Sequence, residues 1–234
     1  MPFVLNDMVM QASRLLTETI RQNRSALEAP LAGNEAHEWV IYARTMQPMM
    51  AAAAEFMAGV ILRGGTPAKV LDVATGHGLF GIAVAQLAPQ CEIVALDFPN
   101  VLDVTAEHAR AAGAAITLLP GSAFEVDLGT GYDAVLVPNF FHHFAIEDNI
   151  ALMKRFRAAL RPGGLMLTLE FVPNQDRISP PVPASFAMTM LTNTPAGDAY
   201  TMAEYSQMLD AAGFGGREIT DVPMSAQRLI VASV

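Results

Sequence analysis

Two carboxylates and a pair of glycines carry the clearest chemistry in this 234-residue chain. The segment Asp72-Val-Ala-Thr-Gly-His-Gly closes an apolar strand, read over 69–73, and opens a helix, read over 79–88. Glycines at 76 and 78 let a ligand approach the main chain where side chains would collide. Free N–H groups at the helix start face that ligand. A second apolar strand, 92–96, ends at Asp97, whose carboxylate can accept hydrogen bonds from both hydroxyls of a ribose. The pattern describes a nucleoside-cofactor pocket at the carboxyl edge of a parallel sheet.

The elements that must hold such a pocket follow from the rhythm of the chain. From residue 68 onward, strands at 69–73, 92–96, 115–119, 133–138 and 164–171 alternate with helices at 79–88, 101–112 and 147–160. This alternation requires a parallel sheet covered on both faces. Arg161-Pro-Gly-Gly stops the third helix, and Thr201 with Glu204 reads as a capping box for a helix ended by Gly213. Two final strands, 217–222 and 227–232, are too close in sequence for a parallel crossover and must pair antiparallel. That ending separates the sheet from the usual dinucleotide-binding one, although Gly76-His-Gly-Leu-Phe-Gly also spells Gly-x-Gly-x-x-Gly. Residues 1–63 read as an N-terminal helical segment and 64–234 as the cofactor-binding domain. Asn6 or Asp7 caps a first helix whose Met8, Ala12, Leu15, Leu16 and Ile20 keep to one face. The stretch 30–34 reads as a connection, and Pro48 marks a kink or a new helix start.

Composition narrows the function classes. Hydrophobic residues at 52% and charged residues at 16% describe a core-rich chain, not a disordered one. A net charge of −9 with scattered Lys and Arg argues against a nucleic-acid partner. The nearest basic cluster, Lys154, Arg155, Arg157 and Arg161, reads as a solvated helix face with last-turn caps. The longest apolar stretch, 49–62, is interrupted by Glu55 and is too short to span a membrane. No secretory signal is visible, and the single Cys91 cannot form an internal disulfide, so a cytoplasmic location is expected. His142 and His143 are chain neighbours with no acidic or thiol companion at ligand spacing, so no metal is expected. His77 reads as an exposed spacer between the glycines.

Five segments in order complete the picture: Asp72-Val-Ala-Thr-Gly-His-Gly, Ala95-Leu-Asp-Phe-Pro-Asn-Val-Leu, Gly121-Ser-Ala-Phe, Asn139-Phe-Phe-His-His-Phe and Leu160-Arg-Pro-Gly-Gly. Over residues 35–234 the chain resembles the catalytic domain of the small-molecule O-methyltransferase family. That family includes plant caffeate and animal acetylserotonin methyltransferases and bacterial secondary-metabolite enzymes. The resemblance implies a class I S-adenosylmethionine-dependent methyltransferase fold: a Rossmann-like α/β sheet of seven strands with a C-terminal antiparallel hairpin, plus N-terminal helices.

It also implies site roles. Gly76 and Gly78 would contact the methionine part of S-adenosylmethionine, with Asp72 bracing the turn, Asp97 on the ribose and Phe98 beside the adenine. The family usually has an aspartate where this chain has Ser122, followed by an apolar residue under the adenine, here Ala123. Phe124 and Asn139 belong to the same matching segments. Tyr42 and Met46 fall where the preceding helix touches cofactor and acceptor. His142 aligns with the general base, and Glu170 with the carboxylate that orients it. A second orienting carboxylate falls near Ala199, whose neighbour is Asp198. A phenol with a pKa near about 10 is a poor nucleophile until its proton leaves, and a histidine near about 6.5 can take it.

The implied activity is O-methylation of a phenolic or polyketide-like small molecule. The alternative is a relative that binds S-adenosylmethionine without transferring methyl. Prolines and methionines of 178–193, with Met46, Met49 and Met50, offer an adaptable apolar acceptor pocket. Family members usually carry an N-terminal winged-helix domain that dimerises, and far fewer residues precede the match here. A homodimer built from the N-terminal helices is therefore expected.

Overall fold

The computed structural model describes residues 7–27 and 37–234, with side chains from Met10 onward. The expected cap at Asn6, the side chain of Met8 and the connection at 30–34 lie outside the described residues.

Helices α1 (Asp7–Arg14), α2 (Leu16–Gln22) and α3 (His37–Leu62) precede the sheet. Then β1 (Lys69–Val73), α4 (Leu79–Leu87), β2 (Glu92–Asp97), α5 (Pro99–Ala112), β3 (Thr117–Pro120) and β4 (Tyr132–Pro138) follow. The chain closes with α6 (Ile146–Ala159), β5 (Leu160–Glu170), α7 (Pro181–Asn193), α8 (Met202–Ala212), β6 (Arg217–Asp221) and β7 (Arg228–Ser233). Strand order is β3-β2-β1-β4-β5-β7-β6, with β7 antiparallel to both of its neighbours. The terminal hairpin is therefore as its short connection requires.

Pleating divides the core in two. Val70, Ile93, Ala134, Leu136, Leu167 and Leu169 face a layer built from α3 and α4. Leu71, Val73, Val94, Leu96, Val135 and Val137 face the opposite layer, with Phe156 of α6 and Tyr205 of α8. Residues alternate along each strand because successive side chains leave opposite faces, and both faces are covered.

Four local differences from the sequence reading have physical causes. The helix at 7–22 breaks at Leu15, which has φ −89° and ψ 4°. The phase shift turns Thr19 inward and leaves Ile20 56% exposed, so Ile20 does not share the buried face of Ala12. Helix α3 runs unbroken through Pro48, anchored by its packing on α4 and α5. Continuity makes it long and apolar enough to cross a membrane by length and composition, yet Met46, Met50, Met57 and Ile61 are buried in the core. Strand β5 starts at Leu160, which pairs with Tyr132 before a register shift, instead of at 164. Helix α7 occupies the Pro- and Met-rich segment, its leading prolines sitting in the first turn where a missing N–H costs nothing. The Thr201–Glu204 capping box forms as expected, and Gly213 ends α8 in the left-handed region at φ 85°.

Candidate active site

The site begins where β1 stops. Asp72 is fully buried, and its Oδ2 accepts from Thr75 Oγ1 at 2.8 Å and from the Gly81 N–H at 2.9 Å. One carboxylate oxygen thus ties the strand end to the first turn of α4. Ala74, Gly76 and Gly78 are all left-handed, at φ 50°, 55° and 77°. An added Cβ at Gly78 would lie 2.9 Å from Thr105 Cγ2, so this position admits no side chain. An alanine held in that region costs of order 1–2 kcal/mol, strain stored at the turn. Burial pushes the Asp72 carboxyl up to about 7, against the bonds from Thr75 and Gly81.

Asp97 ends β2 beside this turn. Its Oδ2 accepts from the Gly76 N–H at 2.8 Å and its Oδ1 from the Phe98 N–H at 2.7 Å. Each oxygen keeps acceptor capacity for a further donor. Burial raises its pKa to about 6, and the two backbone bonds lower it.

A cavity of about 360 Å³ opens over the carboxyl ends of β1, β2 and β4. Tyr42, Met46, Gly76, Asp97, Phe98, Ser122, Ala123, Phe124 and Asn139 all line it, while Asp72 and Gly78 stand behind the turn. The O-methyltransferase domain pattern matches residues 40–215. The chain belongs to the O-methyltransferase family.

Relatives agree with that membership. A Nostoc punctiforme crystal structure described as an O-methyltransferase is 41% identical with a TM-score of 0.95, covering 100% of this chain and 71% of that one. Human N-acetylserotonin methyltransferase, solved with S-adenosylmethionine, has a TM-score of 0.82 at 20% identity, covering 95% and 66%, a likeness of fold. The L-tyrosine C(3)-methyltransferase of Streptomyces lavendulae is 33% identical over 153 residues, covering 62% of this chain and 41% of that protein. The chain spans less than half the length of the curated relatives it matches. Its sheet is that of the class I S-adenosylmethionine-dependent methyltransferases, and S-adenosylmethionine is the cofactor of this O-methyltransferase family. The residues present fit that group: the glycine turn leaves main chain open, and the Asp97 oxygens retain acceptor capacity at the cavity wall.

Beyond β4, a single 3-10 turn, Phe141–His143, carries both candidate histidines of the O-methyltransferase domain. His142 Nδ1 lies 2.6 Å from Glu170 Oε2, both side chains within 2% of complete burial. The N–H groups of Phe140 and His142 also point at Glu170, at 3.0 and 3.4 Å. Three N–H groups converging on one carboxylate select, for the neutral ring, the tautomer with its proton on Nδ1 and a lone pair on Nε2. Nε2 is buried with no partner, and the edge of Phe186 meets the ring at 4.9 Å. His143 instead lines the cofactor cavity, with Trp39 edge-on at 5.3 Å. Burial, reinforced by His142, lowers the His143 pKa well below the usual imidazole range. Tyr42 is pushed above the ordinary phenol value by burial and then by Glu170.

Other residues differ from the sequence reading. His77 is not an exposed spacer: it is 6% exposed, stacks on Phe80 at 5.8 Å and lines the cavity. Burial lowers its pKa to about 4, with His108 adding to the shift. Asp198 is held by Arg177 at 2.9 Å and makes no bond to His142, while Ala199 is fully buried. Glu170 is thus the carboxylate that reaches the base candidate. The basic residues of this cluster are not merely solvated: on α6 Arg155 bonds Ala123 and Val126 and Arg157 bonds Gly213, while Arg161, at the start of β5, bonds Asp133. Among the described residues no group of three His, Cys, Asp or Glu could hold a metal.

Sequence reasoning passes over Trp39 and Gln227, while Met50 reads there as part of an apolar acceptor pocket. Trp39, the single tryptophan, stands three residues before Tyr42 on the same helix face, a spacing that could have signalled it. Met50 lines the cavity and receives the Asn139 amide at 3.4 Å. Gln227 bonds Asn139 Oδ1 from the terminal hairpin, a pairing with no sequence signal.

Proposed function

We propose that this chain transfers the methyl group of S-adenosylmethionine to the oxygen of a phenolic or polyketide-like small molecule. The observation that carries the reading is the buried His142–Glu170 pair next to a cavity built for a nucleoside cofactor. S-adenosylmethionine supplies an activated methyl carbon, so the protein has chiefly to align and deprotonate. Alignment of this kind supplies about 7–11 kcal/mol, and a positioned base roughly 10²–10⁴ in rate.

In this reading Asp97 holds the ribose, Gly76 admits the methionine part, Gly78 lets the turn pack on Thr105 of α5, and Phe98, Ser122, Ala123 and Phe124 surround the adenine. Asp72 braces the turn. Tyr42, Met46 and Asn139 stand on the side of the reacting centre. His142 Nε2 takes the phenol proton while Glu170 holds the imidazolium. Because Nε2 is buried, contact with the ring requires the side chains around it to make way for the acceptor. Phe186 beside the ring and Phe171 against Phe186 suit a flat, apolar molecule. The test is a panel of phenols incubated with the protein and S-adenosylmethionine, read by mass spectrometry. Methyl on phenolic oxygen with equimolar S-adenosylhomocysteine is expected. Cofactor binding without transfer to any phenol, or transfer to carbon alone, would overturn O-transfer.

The same reading places the protein in the cytosol as a homodimer formed through the helical segment 1–63. Met10, Ile20, Ile41 and Met49, exposed at 39–59% on α1, α2 and α3, support the dimer. Light scattering should give twice the 25.0 kDa chain mass. A monomer at every concentration would refute it.

A further inference from the structure

The loop that walls the cavity between β3 and β4 is held from outside by one guanidinium. At Gly121, φ 140°, an added Cβ would lie 2.2 Å from Val126 Cγ1, so the turn closes only on glycine. Ser122, Ala123 and Phe124 then line the cavity. The turn bonds itself: the Ser122 carbonyl accepts from the Glu125 and Val126 N–H groups, each at 3.0 Å. Ser122 Oγ accepts from the Phe124 N–H at 3.2 Å, and the Gly121 N–H donates to the Asp97 carbonyl at 2.9 Å. These bonds leave the carbonyls of Ala123 and Val126 open. Arg155, half-buried on α6, closes them: Nε donates to Ala123 at 3.0 Å and Nη2 to Val126 at 2.5 Å.

A rigid fork that takes two carbonyls at once fixes both position and tilt of the turn, and charged donors make the stronger bonds. Arg155 does not itself line the cavity. Ser122 Oγ accepts within its own loop and keeps its O–H to donate, so what this wall offers a ligand depends on where the loop stands. We propose that Arg155 is a positioning residue for the cofactor, setting the Ser122–Phe124 wall against the nucleoside without touching it. This rests on the cofactor assignment of the preceding section.

Calorimetry with S-adenosylhomocysteine and steady-state kinetics in S-adenosylmethionine test it. Arg155→Ala is expected to weaken S-adenosylhomocysteine about tenfold or more and to raise KM for the cofactor equally, with kcat within about threefold. 5′-Methylthioadenosine, which carries the nucleoside without the amino-acid tail, should lose affinity by the same factor. Arg155→Lys, able to reach one carbonyl, should fall between variant and wild type. A general structural role would instead lower kcat and the folded fraction without this split. Unchanged S-adenosylhomocysteine affinity in folded Arg155→Ala, or loss of kcat at constant KM, would overturn the proposal. If Arg155→Ala does not fold, Arg155→Gln carries the same test, and wild-type affinity there overturns it. A wild-type protein that binds no S-adenosylhomocysteine overturns the cofactor assignment itself, a result seen before any variant is made.

Discussion

His142→Ala is expected to lower turnover by about 10²–10⁴-fold while leaving S-adenosylhomocysteine affinity within about twofold of wild type. The ring lies outside the cofactor cavity, so its loss removes a proton acceptor and not a cofactor contact. Glu170→Gln should be nearly as damaging at almost unchanged volume. The present carboxylate accepts from Nδ1 at 2.6 Å and forces the lone pair onto Nε2. An amide oxygen would keep the Phe140 N–H, turning the amide NH₂ toward Nδ1 and moving the ring proton to Nε2. The base would then be in the wrong tautomer, a defect that costs about 10⁴-fold in a comparable histidine–carboxylate pair. His143→Ala, which touches no carboxylate, is the control and should cost less than about tenfold. Single-turnover rates with the best acceptor decide the matter. If His143 is the sensitive position, the cavity-facing ring is the base; if neither is, the phenol is not deprotonated at this turn.

Asp97→Ala should weaken S-adenosylhomocysteine by about 1.5–3 kcal/mol, roughly 10–150-fold, because both ribose hydroxyls lose a charged acceptor. Its backbone partners Gly76 and Phe98 also lose their acceptor, so the glycine turn loosens with it. Burial pushes the carboxyl up to about 6 in the free protein. If the ribose hydroxyls donate to the charged form as proposed, affinity holds above that value and falls as pH drops through it, by up to about tenfold per unit. In the free fold the sign is opposite: a raised carboxyl pKa gives up stability as pH rises from the unfolded value near about 4 toward about 6. Ligand offsets that loss. Calorimetry between about pH 5 and pH 8 should show the slope in wild type and a flat profile in Asp97→Asn. A wild-type affinity independent of pH, or an unaffected Asp97→Ala, would remove Asp97 from the cofactor site.

Helix α3 shows what periodicity cannot settle. Pro48 argues locally for a break, yet the helix continues because its packing on α4 and α5 outweighs the lost hydrogen bond. The break came instead at Leu15, where no proline or glycine stands, and it exposed Ile20. The burial of His77 was equally illegible, since the ring stacks on Phe80 and His108 of the neighbouring helix α5 lies 2.8 Å from the His77 carbonyl.

By itself the sequence determined the strand rhythm, the glycine turn with its two carboxylates, and the antiparallel ending, because each rests on nearest-neighbour geometry. Chain spacing alone excludes a parallel crossover between 217–222 and 227–232, and glycine alone suits the turn at 76–78. The tertiary structure decided which histidine meets Glu170, since residues 28 apart in sequence are joined only when β4 and β5 pair. It also decided that Arg155 reaches Ala123 and Val126, and that Gln227 reaches Asn139. Such contacts depend on strand register and helix docking, which arise from packing summed over the whole sheet and leave no mark at either residue.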